Sequence, residues 1–127
     1  MSFFEEIEYQ IIPNDLGDIY KITTSSNCPN FKKGDFYFSE VKPNITKTWR
    51  RHKILNCIIG VVAGEIEIRL KSDLKGKSII KNLSLKKSKM IKITSGTWYS
   101  FKNKNKNTCM LFVILDGEHN HNEVERL

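Results

Sequence analysis

Along most of the chain apolar and polar residues alternate in short runs, and Gly, Pro, Asn or clusters of Lys and Ser interrupt the runs. A period of two, carried by β-branched and aromatic residues, marks half-buried strands. The pattern predicts nine of them: "GDIYKIT", "GDFYFSEVK", "ITKTWRRH", "CIIGVVA", "EIEIRLK", "SIIKNLSL", "MIKITS", "TWYSFKN" and "CMLFVIL". No segment carries the apolar spacing of an amphipathic helix. Short strands divided by turn signals, without helices, predict an all-β antiparallel sandwich or barrel of jelly-roll type.

"CIIGVVA" and "CMLFVIL" are apolar almost throughout, as strands buried on both faces are, so they are expected at the centre of the core. Ala63-Gly64 predicts a tight hairpin joining "CIIGVVA" to "EIEIRLK", with Gly64 supplying a positive φ. "KSDLKGKS" and "NKNKNT" read as polar turns. No repeat or linker divides the sequence. Residues 1–127 are therefore expected as a single domain, with an N-terminal arm over 1–16 and a polar C-terminal tail over 116–127 that folds over one mouth of the barrel.

The formal charge of +7 favours anionic partners: nucleic acid, an anionic membrane surface or a small phosphorylated molecule. The lysines of the second half are spread thinly among polar residues. They read as solvated faces, and a nucleic-acid platform with stacking aromatics is not expected. No apolar run approaches a membrane span, and the start "MSFFEEIEYQ" is acidic with no basic n-region, so the cytoplasm is the expected compartment. Cys28, Cys57 and Cys109 are widely spaced with no CxxC, which argues against a disulfide framework.

The candidate chemistry centres on "TWRRHKIL", where His52 sits among Arg50, Arg51 and Lys53. Neighbouring positive charge favours the neutral form of an imidazole, and a neutral imidazole is a base. Strand alternation puts Arg50 and His52 on one face and Trp49, Arg51 and Lys53 on the other. With Arg50 and His52 facing the interior, the pair offers a base beside a fixed cation, which suits proton abstraction next to a carbonyl or binding of a phosphate. A second stretch, "ITSGTWYSFKN", places Tyr99 on that interior face, while Trp98 and Phe101 read as core or barrel wall.

The order of "KTWRRH", "VVAGEIEI" and "SGTWYSFKN" resembles the two motifs of the cupin superfamily, most closely the branch of the dTDP-4-dehydrorhamnose 3,5-epimerases and related sugar-nucleotide ketoisomerases. "GDFYFSEVKP" and "HNHNEVERL" fit a short, metal-free group within that branch, and the likeness runs from about Gly17 to Leu127. The resemblance implies a double-stranded β-helix, or cupin jelly-roll barrel, that pairs into a homodimer through edge strands such as "GDIYKIT" and "GDFYFSEVK". It implies an isomerase or epimerase acting on a nucleotide-linked 4-keto-sugar in deoxysugar or cell-surface polysaccharide biosynthesis, with His52 as the base and Tyr99 or His119 as the acid. Arg50, Lys47, Glu40, Trp98 and Arg69 are the candidates for holding substrate.

Metal-dependent cupins carry further histidines in both motifs. Here the first motif has His52 alone and the second has Tyr99 where the later histidine falls, so neither a metal nor another cofactor is expected. Other positions depart from the epimerases: Trp49 stands where they place an arginine, and Cys57 lies near the position of their enolate-stabilising lysine. Their histidine is paired with a carboxylate from a C-terminal extension beyond Leu127, so Glu40 or Glu67 is expected to partner His52 instead. These departures keep a second reading open, a non-catalytic cupin that binds sugar nucleotides or carbohydrate.

Overall fold

The computed structural model describes residues 3–22, 31, 32 and 34–127; Cys28 lies outside the described residues. All nine predicted segments contain strands, and three further strands come from regions without a strong alternating signal. The strands are β1 (Phe4–Glu8), β2 (Gln10–Ile12), β3 (Ile19–Lys21), β4 (Phe36–Val41), β5 (Thr46–His52), β6 (Cys57–Ala63), β7 (Glu65–Lys71), β8 (Ile79–Ser84), β9 (Lys89–Ile93), β10 (Trp98–Lys102), β11 (Cys109–Leu115) and β12 (Val124–Arg126). Short 3-10 turns cover Leu85–Lys87 and His121–Glu123.

Two antiparallel five-stranded sheets, ordered β1-β9-β6-β11-β4 and β12-β5-β10-β7-β8, enclose the main core. Ile59, Val61, Ile91, Leu111 and Leu115 from the first sheet meet Ile66, Ile68, Leu70 and Phe101 from the second, all of them buried. This is the cupin jelly roll. As their apolar runs predict, β6 and β11 lie inside the first sheet, where they pair with each other. Phe112 lies directly opposite Gly60 in that pair, and its ring covers the glycine so closely that a Cβ there would stand 2.2 Å from ring carbons.

The outer face of the first sheet is not left to solvent everywhere. Ile7, Ile58, Met90 and Phe112 form a second cluster, against which Ile11, Tyr20 and Ile22 from the β2–β3 ribbon region pack. The residues expected as an N-terminal arm thus contribute β1, paired with β9, and β2 of the ribbon. Glu5, Glu6 and Glu8 around Ile7 hide this strand in the sequence, because three carboxylates in one short run weaken the apolar signal.

Ala63-Gly64 is a corner rather than a hairpin. Gly64 does take a positive φ of 84°, but β6 belongs to the first sheet and β7 to the second, so the chain crosses between layers there. The α-carbon and carbonyl of the neighbouring Thr108–Cys109 backbone crowd the same corner, at 3.1 and 3.2 Å from the position of a Cβ.

The tail crosses the end of the barrel and returns to the second sheet as β12 on β5. It is tied down first at Asp116, whose carboxylate accepts from the Asn56 backbone and side-chain amides, both at 2.8 Å. Asp35 Oδ2 then accepts from the backbone N–H of His119 at 2.8 Å. Cys57 and Cys109 are free and fully buried.

Candidate active site

Three strands and the tail converge on His52. The imidazole is 3% exposed, at the end of β5, and its backbone carbonyl accepts from Gly96 N–H at 2.7 Å. Tyr99, from the adjacent β10, stacks on the ring with centroids 6.2 Å apart and planes 21° from parallel. His119 approaches edge-on at 6.5 Å, and Tyr37 of β4 lies 6.2 Å from His119. The residues expected in the catalytic roles, His52, Tyr99 and His119, therefore form one cluster, which Tyr37 joins.

The carboxylate that pairs with His52 is Glu123, neither Glu40 nor Glu67. Glu123 Oε2 lies 2.7 Å from His52 Nδ1, and Oε1 accepts from the backbone N–H groups of Ile54 at 3.1 Å and Leu55 at 2.8 Å. Burial alone would raise the Glu123 carboxyl, but the hydrogen bonds from His52, Leu55 and Ile54 outweigh it and hold the group below the ordinary carboxylate range. An ionised carboxylate accepts only, so Nδ1 carries a proton, and a ring with that one proton has its lone pair on Nε2. Among the described residues Nε2 is buried and meets no hydrogen-bond partner.

Glu40 is exposed on β4, and Glu67 is engaged elsewhere: Arg69 Nε lies 3.0 Å from it and Lys104 Nζ 2.7 Å. Nothing in "HNHNEVERL" advertises a strand, since Val124 is its lone internal apolar residue. The pairing of Val124 with His52 brings the preceding Glu123 beside the imidazole, and that pairing is a tertiary fact with only a faint local signal.

A bulge sets the cationic side of the site. Tyr99 pairs with Arg50 but Phe101 pairs with Lys47, so β5 spends one extra residue between these points. Strict alternation would turn Lys47 outward with Arg51. The bulge restores it to the inner face with Arg50 and His52. Lys47 Nζ donates to Ser39 Oγ at 2.9 Å, and its amine is pushed below its ordinary value first by burial and then by Arg50, with Glu40 partly offsetting both. Arg50 Nε is buried without a hydrogen-bond partner among the described residues.

Two expected substrate-binding residues stand on the other face. Trp98 packs under the Arg51 guanidinium at 4.8 Å, and Arg69 pairs with Glu67, because both occupy positions that alternate with the inward Tyr99, Ile68 and Leu70. Cys57, fully buried, has its thiol pushed up by burial and by Asp116 and Glu123, so it is a neutral floor residue and no enolate-stabilising cation. Burial likewise keeps the Tyr99 phenol well above its ordinary value, and Tyr37 is raised by burial and Cys57 against the opposing pull of Arg50 and Arg126. Both phenols are protonated and able to donate. Among the described residues no three His, Cys, Asp or Glu side chains converge as a metal-ligand set.

A cupin barrel whose inner face carries a buried histidine held by a carboxylate, with phenols and cations around it, belongs to the class of sites that move protons on small anionic molecules. The chain is a member of the family described as FdtA: WxcM-like, C-terminal, which matches residues 4–126.

No curated protein matches the sequence. Solved structures share the fold. A dTDP sugar isomerase from Desulfovibrio desulfuricans G20 is 24% identical with a TM-score of 0.88, covering 98% of this chain and 83% of its own. A mutant of the 3,4-ketoisomerase QdtA from Thermoanaerobacterium thermosaccharolyticum, in complex with TDP-4-keto-6-deoxyglucose, is 21% identical with a TM-score of 0.85, covering 100% and 89%. The dTDP-6-deoxy-D-glucose-3,5-epimerase RmlC from Legionella pneumophila Philadelphia 1 is 12% identical with a TM-score of 0.84, covering 100% and 73%.

Proposed function

We propose that this protein is a sugar-nucleotide isomerase or epimerase of deoxysugar or cell-surface polysaccharide biosynthesis, in which His52 removes a proton from the carbon next to a 4-keto group. The observation that carries the reading is the His52–Glu123 pair, with Nδ1 bound to the carboxylate at 2.7 Å and Nε2 left without a protein partner. Family membership and the TDP-sugar enzymes among the structural neighbours support the substrate class. The binding-only alternative leaves a buried, ionised carboxylate fixing one tautomer of a histidine without a use.

The chemistry balances without a redox partner. Nε2 takes the C–H proton, the electron pair moves through the C–C bond to the carbonyl oxygen, and the phenol O–H groups of Tyr99 and Tyr37 are the donors near the base for the resulting enolate. Return of a proton to the same carbon from the opposite face inverts it. For a substrate bearing a hydroxyl on that carbon, transfer of the hydroxyl proton to the enolate oxygen and return of the abstracted proton to the former carbonyl carbon move the ketone by one position. Tyr99, His119 and Tyr37 are the acids within reach of the cluster.

In deuterated buffer, wild-type protein should incorporate solvent deuterium next to the ketone of a thymidine diphosphate 4-keto-6-deoxy sugar. His52→Asn should abolish incorporation while leaving nucleotide affinity within a few fold, since a base acts mainly in the transition state. Binding without any exchange by the wild type would leave the non-catalytic cupin standing.

The same reading includes a homodimer working in the cytoplasm. No helix among the described residues is long and apolar enough to cross a membrane. β4 is the edge of the first sheet and exposes Phe36 at 56% and Phe38 at 60%, an aromatic pair whose rings touch edge to face at 5.3 Å. A second copy docking here would cover the aromatics and the strand edge, which is unpaired among the described residues, together. Sedimentation should give twice the mass of one 14.8 kDa chain, and Phe38→Glu should return the monomer; a wild-type monomer at micromolar concentration would contradict the pairing.

A further inference from the structure

Among the described residues β12 has one sheet neighbour, β5, and the register sets Val124 opposite His52, Glu125 opposite Arg51 and Arg126 opposite Arg50. Residues directly opposed on antiparallel strands share a face. On the outer side this produces an ion pair, Arg51 Nη2 to Glu125 Oε1 at 3.2 Å. On the side of His52 it sets two guanidiniums against each other.

Neither Arg50 nor Arg126 forms an ion pair among the described residues, and the buried Nε of Arg50 has no acceptor. Lys47 faces the same space through the β5 bulge, and Glu40 is the carboxylate that offsets it. The Tyr37 phenol feels the charge of both Arg50 and Arg126, so both guanidiniums lie in its neighbourhood. Like charges directly opposed destabilise a strand pair, and β12 is three residues long at a sheet edge. Such a strand belongs to the low-stability end of a fold. Yet it also anchors Glu123, which precedes it and orients the base.

We propose that Arg126, with Arg50 and Lys47, clamps the diphosphate of the substrate, and that filling this clamp secures β12 and thereby holds Glu123 against His52. The inference rests on the nucleotide-sugar reading and adds to it a residue and a coupling. A diphosphate between the guanidiniums replaces their repulsion with two charge-assisted contacts. Because it binds the docked strand better than the released one, it shifts the strand towards docking, and the same coupling makes docking strengthen the binding. Substrate thus helps to assemble its own base, while a sugar lacking the diphosphate meets a less ordered site.

The test is hydrogen–deuterium exchange of the full-length chain, read on the C-terminal peptide, with inorganic diphosphate at constant ionic strength and with chloride alone. At ten times its dissociation constant, diphosphate should slow exchange of the β12 amides by about ten-fold if binding requires the docked strand. Arg126→Ala should weaken diphosphate binding by ten-fold or more and lose the protection, with unchanged circular dichroism; Arg126→Lys should recover part of both. Wild-type affinity in Arg126→Ala would overturn the clamp. Weakened affinity with no change in β12 exchange on filling the wild-type site would overturn the coupling. Diphosphate-dependent protection in a protein that exchanges no sugar proton would uphold this inference and sink the catalytic reading. Catalysis in Arg126→Ala with an unchanged KM would do the reverse.

Discussion

Replacing Glu123 by Gln removes one charge from the base and almost nothing from the packing. The amide keeps an oxygen for the Ile54 and Leu55 N–H groups, which the carboxylate holds at 3.1 and 2.8 Å. What is lost is the attraction between the carboxylate and the imidazolium that forms when His52 takes a proton. The 2.7 Å contact puts the two charges about 4 Å apart between centres, where unit charges attract by about 4 kcal/mol at an effective dielectric of 20. With its oxygen held by those two N–H groups, the amide turns its NH2 towards Nδ1, which can accept that bond only in the tautomer that carries its proton on Nε2, so the bond favours the form of the ring that is not a base. The lost attraction of about 4 kcal/mol corresponds to roughly a thousand-fold loss of kcat, at about 1.4 kcal/mol per decade.

KM should stay within a few fold, because the attraction that is lost belongs to the imidazolium formed on proton transfer and not to substrate binding. Steady-state turnover and deuterium incorporation measured side by side would test this. A Glu123→Gln variant that turns over within three-fold of wild type would refute the orienting role. Stability in acid offers a second readout. The folded carboxyl lies below its unfolded value, so its contribution is complete above the unfolded carboxylate range and is lost as pH falls through the lower folded value. Thermal unfolding of the wild type should weaken over that acid interval, and Glu123→Gln, with no proton to take up, should lose that part of the pH dependence.

Tyr99→Phe should keep deuterium exchange but cut product formation if the phenol is the acid; equal loss of both would assign it to positioning of His52, on which it stacks at 6.2 Å. Gly60→Ala forces a methyl against the Phe112 ring, and overpacking of about 1–3 kcal/mol should lower Tm by roughly 4–11 °C in calorimetry, with no change in KM. Burial pushes the Cys109 thiol up to about 11 and the Cys57 thiol higher still, so peptide mapping after treatment with an alkylating reagent at neutral pH should find both unmodified until the protein is unfolded. Metal analysis of protein purified without chelator should return well below one equivalent, since among the described residues no three His, Cys, Asp or Glu side chains converge and one imidazole nitrogen alone does not make a metal site.

The barrel was legible because its core strands obey a local rule. Ile66, Ile68 and Leu70 alternate with Glu65, Glu67 and Arg69, and burial follows the alternation. β6 and β11 needed no alternation, since both of their faces are covered. β1 and β12 carried weaker signals: Ile7 among glutamates and Val124 among polar residues become strands only because β9 and β5 offer them edges. Strand pairing supplies backbone hydrogen bonds to any sequence, so a polar segment can be recruited when the rest of the fold presents an open edge.

The same reasoning explains which part of the site could be read in advance. His52, Arg50 and Tyr99 share a face by simple alternation within β5 and β10, and sequence alone puts them together. Lys47 reaches that face through a bulge, which reverses the parity of everything on its far side and leaves no mark in the composition of "TKTWRRH". Glu123 reaches it from the far end of the chain, across 71 positions from His52. A carboxylate partner for a buried histidine is required by chemistry, because a base with a free tautomer has no fixed lone pair. Its identity depends on which strand closes the sheet. Here the closing strand also bears Arg126 on the inner face, so one short segment supplies both the charge that orients the base and a charge suited to the substrate, and a change in its docking alters both together.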